Sequence, residues 1–90
     1  MGDASMNEHS KRLIENVLHS VHLYEHKRIS ERELEQDIEG NRGAVEEHYI
    51  EEKLLRFIIK IDESINLYDA EEGRRILLKE IQTFKTNIIQ

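Results

Sequence analysis

Residues 29–39 read Ile-Ser-Glu-Arg-Glu-Leu-Glu-Gln-Asp-Ile-Glu, and this stretch decides the class of the fold. Ser30 belongs to the residue types whose side-chain oxygen accepts from the unsatisfied amides of a helix's first turn. Glu33 stands three residues on, where its carboxylate can reach back to the Ser30 amide and close a capping box. Ile29 and Leu34 occupy the two positions of a hydrophobic staple. A short helix therefore starts at Ser30 and runs to about Glu39, with Leu34 and Ile38 as its anchors. The same eleven residues are thick with acid, so one segment sets a helix boundary and places charge.

On the N-terminal side, a first helix is expected over residues 8–27. Leu13, Ile14, Val17, Leu18, Val21 and Tyr24 fall within an arc of about 140° at helical periodicity, with Leu23 outside it. Asn7 can cap its start, and Lys27-Arg28 complements the dipole at its end. On the C-terminal side, Gly40-Asn41-Arg42-Gly43 predicts a break, with Gly40 as the residue just past the helix end. A third helix follows over residues 44–68, striped by Ile50, Leu54, Phe57, Ile58, Ile61, Ile65 and Tyr68. Leu55 and Ile59 form a second, weaker stripe, which suits either the central element of a bundle or a partner or dimer surface. Asp69 caps a fourth helix with Glu72 at its third position, although Gly73 lowers helix propensity there. Ile76, Leu77, Ile81, Phe84 and Ile88 carry its packing. The tight connection at Tyr68-Asp69-Ala70 makes helices three and four an antiparallel hairpin. No segment alternates with period two for long enough to form a strand. The reading is all-α: a small antiparallel bundle of four helices, the second short, with residues 1–7 a disordered lead and residues 8–90 one domain.

Composition agrees. A chain of 90 residues without cysteine or proline has one modest core, no disulfide, and nothing to forbid long helices. No apolar run approaches the ~20 residues of a membrane span, and the first residues carry neither a secretory signal nor the myristoylation pattern. A cytoplasmic location is the expectation. The net charge of −6 is unevenly placed. Acids at 31, 33, 35, 37, 39, 46, 47, 51 and 52 face bases only at 32, 42 and 53, while the flanking segments are each neutral. That sign disfavours direct nucleic-acid binding and favours a basic protein partner, with a plain solvated face as the alternative.

Chemistry is harder to find. His19, His22 and His26 share one helical face, and His22 with His26 at i, i+4 is a weak possibility for a divalent metal. A functional site needs further ligands and their supporting partners, which the sequence does not supply, so no cofactor is expected. The paired carboxylates lack the Glu-x-x-His motif of di-iron bundles and are expected to form i, i+4 ion pairs such as Glu52–Arg56 and Glu71–Arg75. The serines suit caps, helix surface or the lead, and no nucleophile motif or phosphate loop is present. Basic clusters are confined to Lys11-Arg12, Lys27-Arg28 and Arg74-Arg75. Tyr24, Tyr49 and Tyr68 are each able to anchor an interface, Tyr49 best of the three because it lies off the main stripe beside Glu46, Glu52 and Lys53, with packing on helix two as its alternative role.

The run Tyr24-Glu25-x-x-x-Ile29-Ser30-x-x-x-Leu34-x-x-Asp37-Ile38-Glu39, followed by Tyr68-Asp69-x-Glu71-Glu72-x-Arg74, resembles the small helical immunity proteins of bacterial toxin–immunity loci, of the colicin-like type. The resemblance spans residues 18–85. It implies a non-catalytic bundle whose acidic surface blocks a basic toxin, often a nuclease, and it carries over no single invariant site. Together these readings give an acidic, non-enzymatic binding module, an inhibitor or immunity-like protein. Its contacts are expected at Glu33, Asp37, Glu46, Glu47, Tyr49, Glu51 and Glu52. The alternative is a small regulatory or structural protein that homodimerises through Leu55 and Ile59.

Overall fold

The computed structural model describes residues 7–89. It contains four helices, α1 (Glu8–Glu25), α2 (Glu31–Arg42), α3 (His48–Asn66) and α4 (Ala70–Ile89). No strand occurs among the described residues. Of the lead assigned to residues 1–7, only Asn7 is described, and it is part of the fold: its side chain accepts from the Ser10 amide and caps α1.

Side-chain pairs set the helix directions. Asn16 meets Asn41, Ser20 meets Asp37, and Tyr24 meets Glu31, so α2 runs antiparallel to α1. Arg42 meets Glu51 and Arg32 approaches Asp62, so α3 runs antiparallel to α2. Lys53 meets Asn87 and Phe57 stacks on Phe84, so α4 returns along α3. The result is an up-down-up-down bundle, 44 × 20 × 19 Å, in which α1 touches α4 least of the adjoining pairs.

The core follows the predicted stripes except at Tyr68, which lies past the end of α3 at Asn66 and is exposed. Val17, Val21, Leu34, Ile38, Ile50, Leu54, Ile61, Leu77 and Ile81 are fully enclosed, with Ile14, Tyr24, Phe57, Ile58, Phe84 and Ile88 nearly so. Each such side chain contributes roughly 1.5–3 kcal/mol by leaving water. Ile29, at the staple position, packs partly buried against this cluster. The capping box is complete: the Glu33 amide donates to Ser30 Oγ at 3.2 Å, and the Ser30 amide donates to Glu33 Oε1 at 2.8 Å. Asp69 accepts from the Glu72 amide at 2.8 Å at the start of α4.

Three boundaries differ from expectation. Helix α2 does not stop at Gly40. It continues to Arg42, because Asn41 donates to the Asp37 carbonyl and Arg42 binds Glu39 and Glu51, holding the last turn together. No described glycine has a positive φ; the left-handed position is Lys27 (φ 62°), which follows α1. There the Arg28 amide donates to the Leu23 carbonyl and the Lys27 amide to the Tyr24 carbonyl, the double closure of a Schellman motif. Helix α3 begins at His48 rather than near Ala44, since the amides of Ala44 and Val45 bond back to the end of α2 and the Glu46 and Glu47 carboxylates reach the start of α1.

Gly73 is not merely a weak helix former. It is buried, and a Cβ built on it would stand 2.2 Å from the Ser64 carbonyl oxygen, so α3 and α4 approach each other through a missing side chain. Gly40, by contrast, would meet nothing within 4 Å. Gly73→Ala should therefore destabilise by about 1–3 kcal/mol through overpacking, while Gly40→Ala should stabilise by roughly 1 kcal/mol, both read by urea denaturation. Lys27→Gly should add roughly 0.5–1 kcal/mol by relieving the left-handed backbone, measured the same way.

Candidate functional site

The acidic segment folds into α2, the loop at residues 43–47 and the first turn of α3. Its acids hold one another's helices. Glu47, the residue before α3, makes no side-chain cap for its own helix. Its carboxylate accepts from the Asn7 amide at 2.9 Å and from the Ser10 hydroxyl, at the start of α1. Glu46 accepts from Asn7 Nδ2 at 3.3 Å. Negative charge at that end complements the α1 dipole. The hydrogen bonds from Ser10 and then Asn7 hold the Glu47 carboxyl below its usual range.

The other predicted contacts divide between the two ends and the middle of α2. Glu33 closes the capping box at its start. Asp37 accepts from the Ser20 hydroxyl at 3.0 Å, facing α1. Glu51 binds Arg42 and lies 3.7 Å from His48 Nδ1, and Glu52 lies 3.3 Å from His48 Nε2. Arg42, Val45, Glu46, His48 and Glu51 line a shallow hollow of about 310 Å³, which brings Glu46 and Glu51 together. Glu33 lies beyond it toward the far end of α2, about 14 Å along the helix from Arg42. Tyr49 is 42% exposed, with Lys53 Nζ 5.9 Å from its ring centroid.

Several sequence expectations are corrected here. Tyr24 is no surface anchor: it is buried, donates from its hydroxyl to Glu31 at 2.8 Å, and lies under the Arg74 guanidinium. Burial, then the adjacent Glu31 carboxylate, drives its phenol well above the ordinary value. Ser10, Ser20 and Ser64 are buried rather than on the surface, each donating to a carboxylate or carbonyl. Arg75 pairs with Glu72 rather than Glu71, and Glu52 with His48 rather than Arg56. Leu55 and Ile59 do not make α3 a central element. They are 38% and 47% exposed on its outer face.

His22 and His26 lie with ring centroids 4.3 Å apart and planes tilted by 51° on the exposed side of α1, and no group of three or more potential metal ligands occurs among the described residues. No helix of the described residues is long and apolar enough to cross a membrane.

Two features escape a reading by neighbours in sequence. Glu35 and Asp62 approach across α2 and α3 with Arg32 between them. Burial, and then Asp62, push the Glu35 carboxyl up, while Arg32 pulls it down. The second feature is basic. Lys53, Arg56 and Lys60 share one face of α3, above Phe57, and face Glu80, Thr83, Phe84 and Asn87 of α4 across a groove of about 560 Å³. Their i, i+3, i+7 spacing was the available signal, which a search for adjacent basic pairs passes over.

Because the folded Glu47 carboxyl titrates below the usual 4.5, its contribution to stability is present above that pH and is lost as pH falls through the folded value. Glu47→Gln should thus be less stable than the parent at pH 7, with the gap narrowing as the pH is taken below 4.5, when both are unfolded by urea.

Comparison of the chain with family models, with curated proteins and with solved structures returns no match.

Proposed function

We propose that this chain is a non-catalytic protein-binding module, an inhibitor or immunity-like protein whose acidic α2–α3 surface occludes a basic partner such as a toxin. One observation carries this reading. Glu31, Glu33, Asp37, Glu46 and Glu47 are each fixed by an uncharged donor: the Tyr24 and Ser20 hydroxyls, the Ser30 amide, the Asn7 amide group, and Asn7 with Ser10. A carboxylate held this way keeps its charge while losing its freedom. A surface of such groups attracts a basic partner at long range and loses little further entropy on contact. Leu55 and Ile59 add an apolar centre on the adjoining face of α3, with Glu51, Glu52, Asp62 and Glu63 three or four residues away along the helix. The immunity-like run of residues 24–39 and 68–74 adds weight from sequence.

A second reading uses the same apolar exposure. Leu55 and Ile59, one turn apart and outside the core, suit a homodimer in which α3 meets its copy. Light scattering at high protein concentration separates the two, since a monomeric mass removes the dimer.

The first reading predicts that a partner captured from the native host binds more weakly as salt is raised. Glu46→Lys with Glu52→Lys, both at exposed positions, should cut affinity by about tenfold or more. Affinity that ignores both salt and charge reversal overturns it.

A further inference from the structure

The groove between α3 and α4 carries the opposite sign from the acidic α2 surface. Lys53, Arg56 and Lys60 stand along its α3 wall, and Glu80 is the one acid among its lining residues. In a chain of net charge −6, such a concentration of bases is local. Arg56 is exposed and makes no ion pair among the described residues. Lys60 lies 3.7 Å from Glu63, with both side chains about half exposed, a contact worth little. Lys53 bridges the groove's end, donating to the Asn87 carbonyl at 2.7 Å. It thereby ties the last turns of α4 to α3 and keeps its remaining N–H groups for other acceptors.

The floor is aromatic. Phe57 and Phe84 stack with centroids 4.2 Å apart and ring planes 12° from parallel, and only their margins reach the groove. Thr83 and Asn87 place a hydroxyl and an amide on the α4 wall. A volume of about 560 Å³ lies in the range of small-molecule sites. A guanidinium without a partner matches a planar carboxylate through two parallel hydrogen bonds, and an apolar floor beside it selects a ligand with a flat body.

We propose that this groove binds a small organic anion of the aromatic carboxylate class, its ring over the Phe57–Phe84 margin and its carboxylate between Arg56 and Lys60. A nucleic-acid strand fits less well, because Glu52 and Glu63 flank the bases on α3 and would meet its phosphates. None of the groove's lining residues is among the acids expected to contact a protein partner.

The experiment is a nuclear magnetic resonance titration of the whole chain with 2-naphthoate, 2-naphthalenemethanol and acetate as separate probes. Naphthoate should shift amides of residues 53–60 and 80–87 saturably and bind about tenfold tighter than either control, since only it offers ring and charge together. Arg56→Ala should weaken it about tenfold. Glu80→Gln should tighten it several-fold by removing the repelling charge, a gain that a damaged fold cannot produce. Shifts scattered over the surface, equal binding of the neutral alcohol, or no response to either substitution overturns the proposal.

Discussion

The carboxylate of Glu47 is the joint on which the arrangement turns. By accepting from Asn7 and Ser10, it fastens the beginning of α3 to the beginning of α1. With the pairs along α2 setting α1 and α3 in the same direction, this bond brings their starts level, and α4 returns after the tight turn that follows α3. The same bond explains why α3 is shorter at its N-terminus than its composition suggests. Glu47 points away from its own helix, and residues 44–47 are used as a strap. Ser10, fully buried beneath it, is the counterpart that a hydroxyl count alone does not single out.

Around that joint, charge is handled in two ways. Some acids meet arginine, as Glu39 and Glu51 do in sharing the one guanidinium of Arg42. Others meet hydroxyls and amides and are held in fixed positions. The acidity of α2 is therefore not a uniform solvated coat. It is a set of oriented charges on one side, and on the other side of α3 lies a groove of the reverse sign. A single helix separates them, and its 3.6-residue period distributes the two characters: Leu55 and Ile59 with Glu52 on one face, Lys53 and Lys60 on the next.

What the sequence reveals depends on range. Local chemistry is legible: the Ser30–Glu33 box, the Asn7 and Asp69 caps, and the apolar stripes all follow from neighbours within one or two turns. Glycine is ambiguous because one residue type serves opposite ends. Gly40 looks like a helix terminator and is an ordinary helical residue, while Gly73 looks like a defect and is the point where two backbones nearly touch. Only the partner helix distinguishes them. Long-range pairs such as Ser20 with Asp37, Tyr24 with Glu31 and Glu47 with Ser10 have no sequence signature, so acids read as contact residues prove to have internal bonds as well. The basic groove was legible in principle, through periodicity rather than adjacency.

The thin seam between α1 and α4 has a consequence for how the bundle breathes. Glu25 holds much of it, taking Lys85 at 2.9 Å and Gln82 at 3.4 Å on its carboxylate and Arg74 on its carbonyl. These links are polar and partly exposed, whereas α3 and α4 interlock through stacked rings and a glycine contact. The seam is thus the weakest of the contacts between neighbouring helices, since α2 packs on α3 as fully as on α1. Fluctuations that part the bundle run along this seam, so amide protons of α1 exchange with solvent through partial openings that leave the α3–α4 hairpin closed.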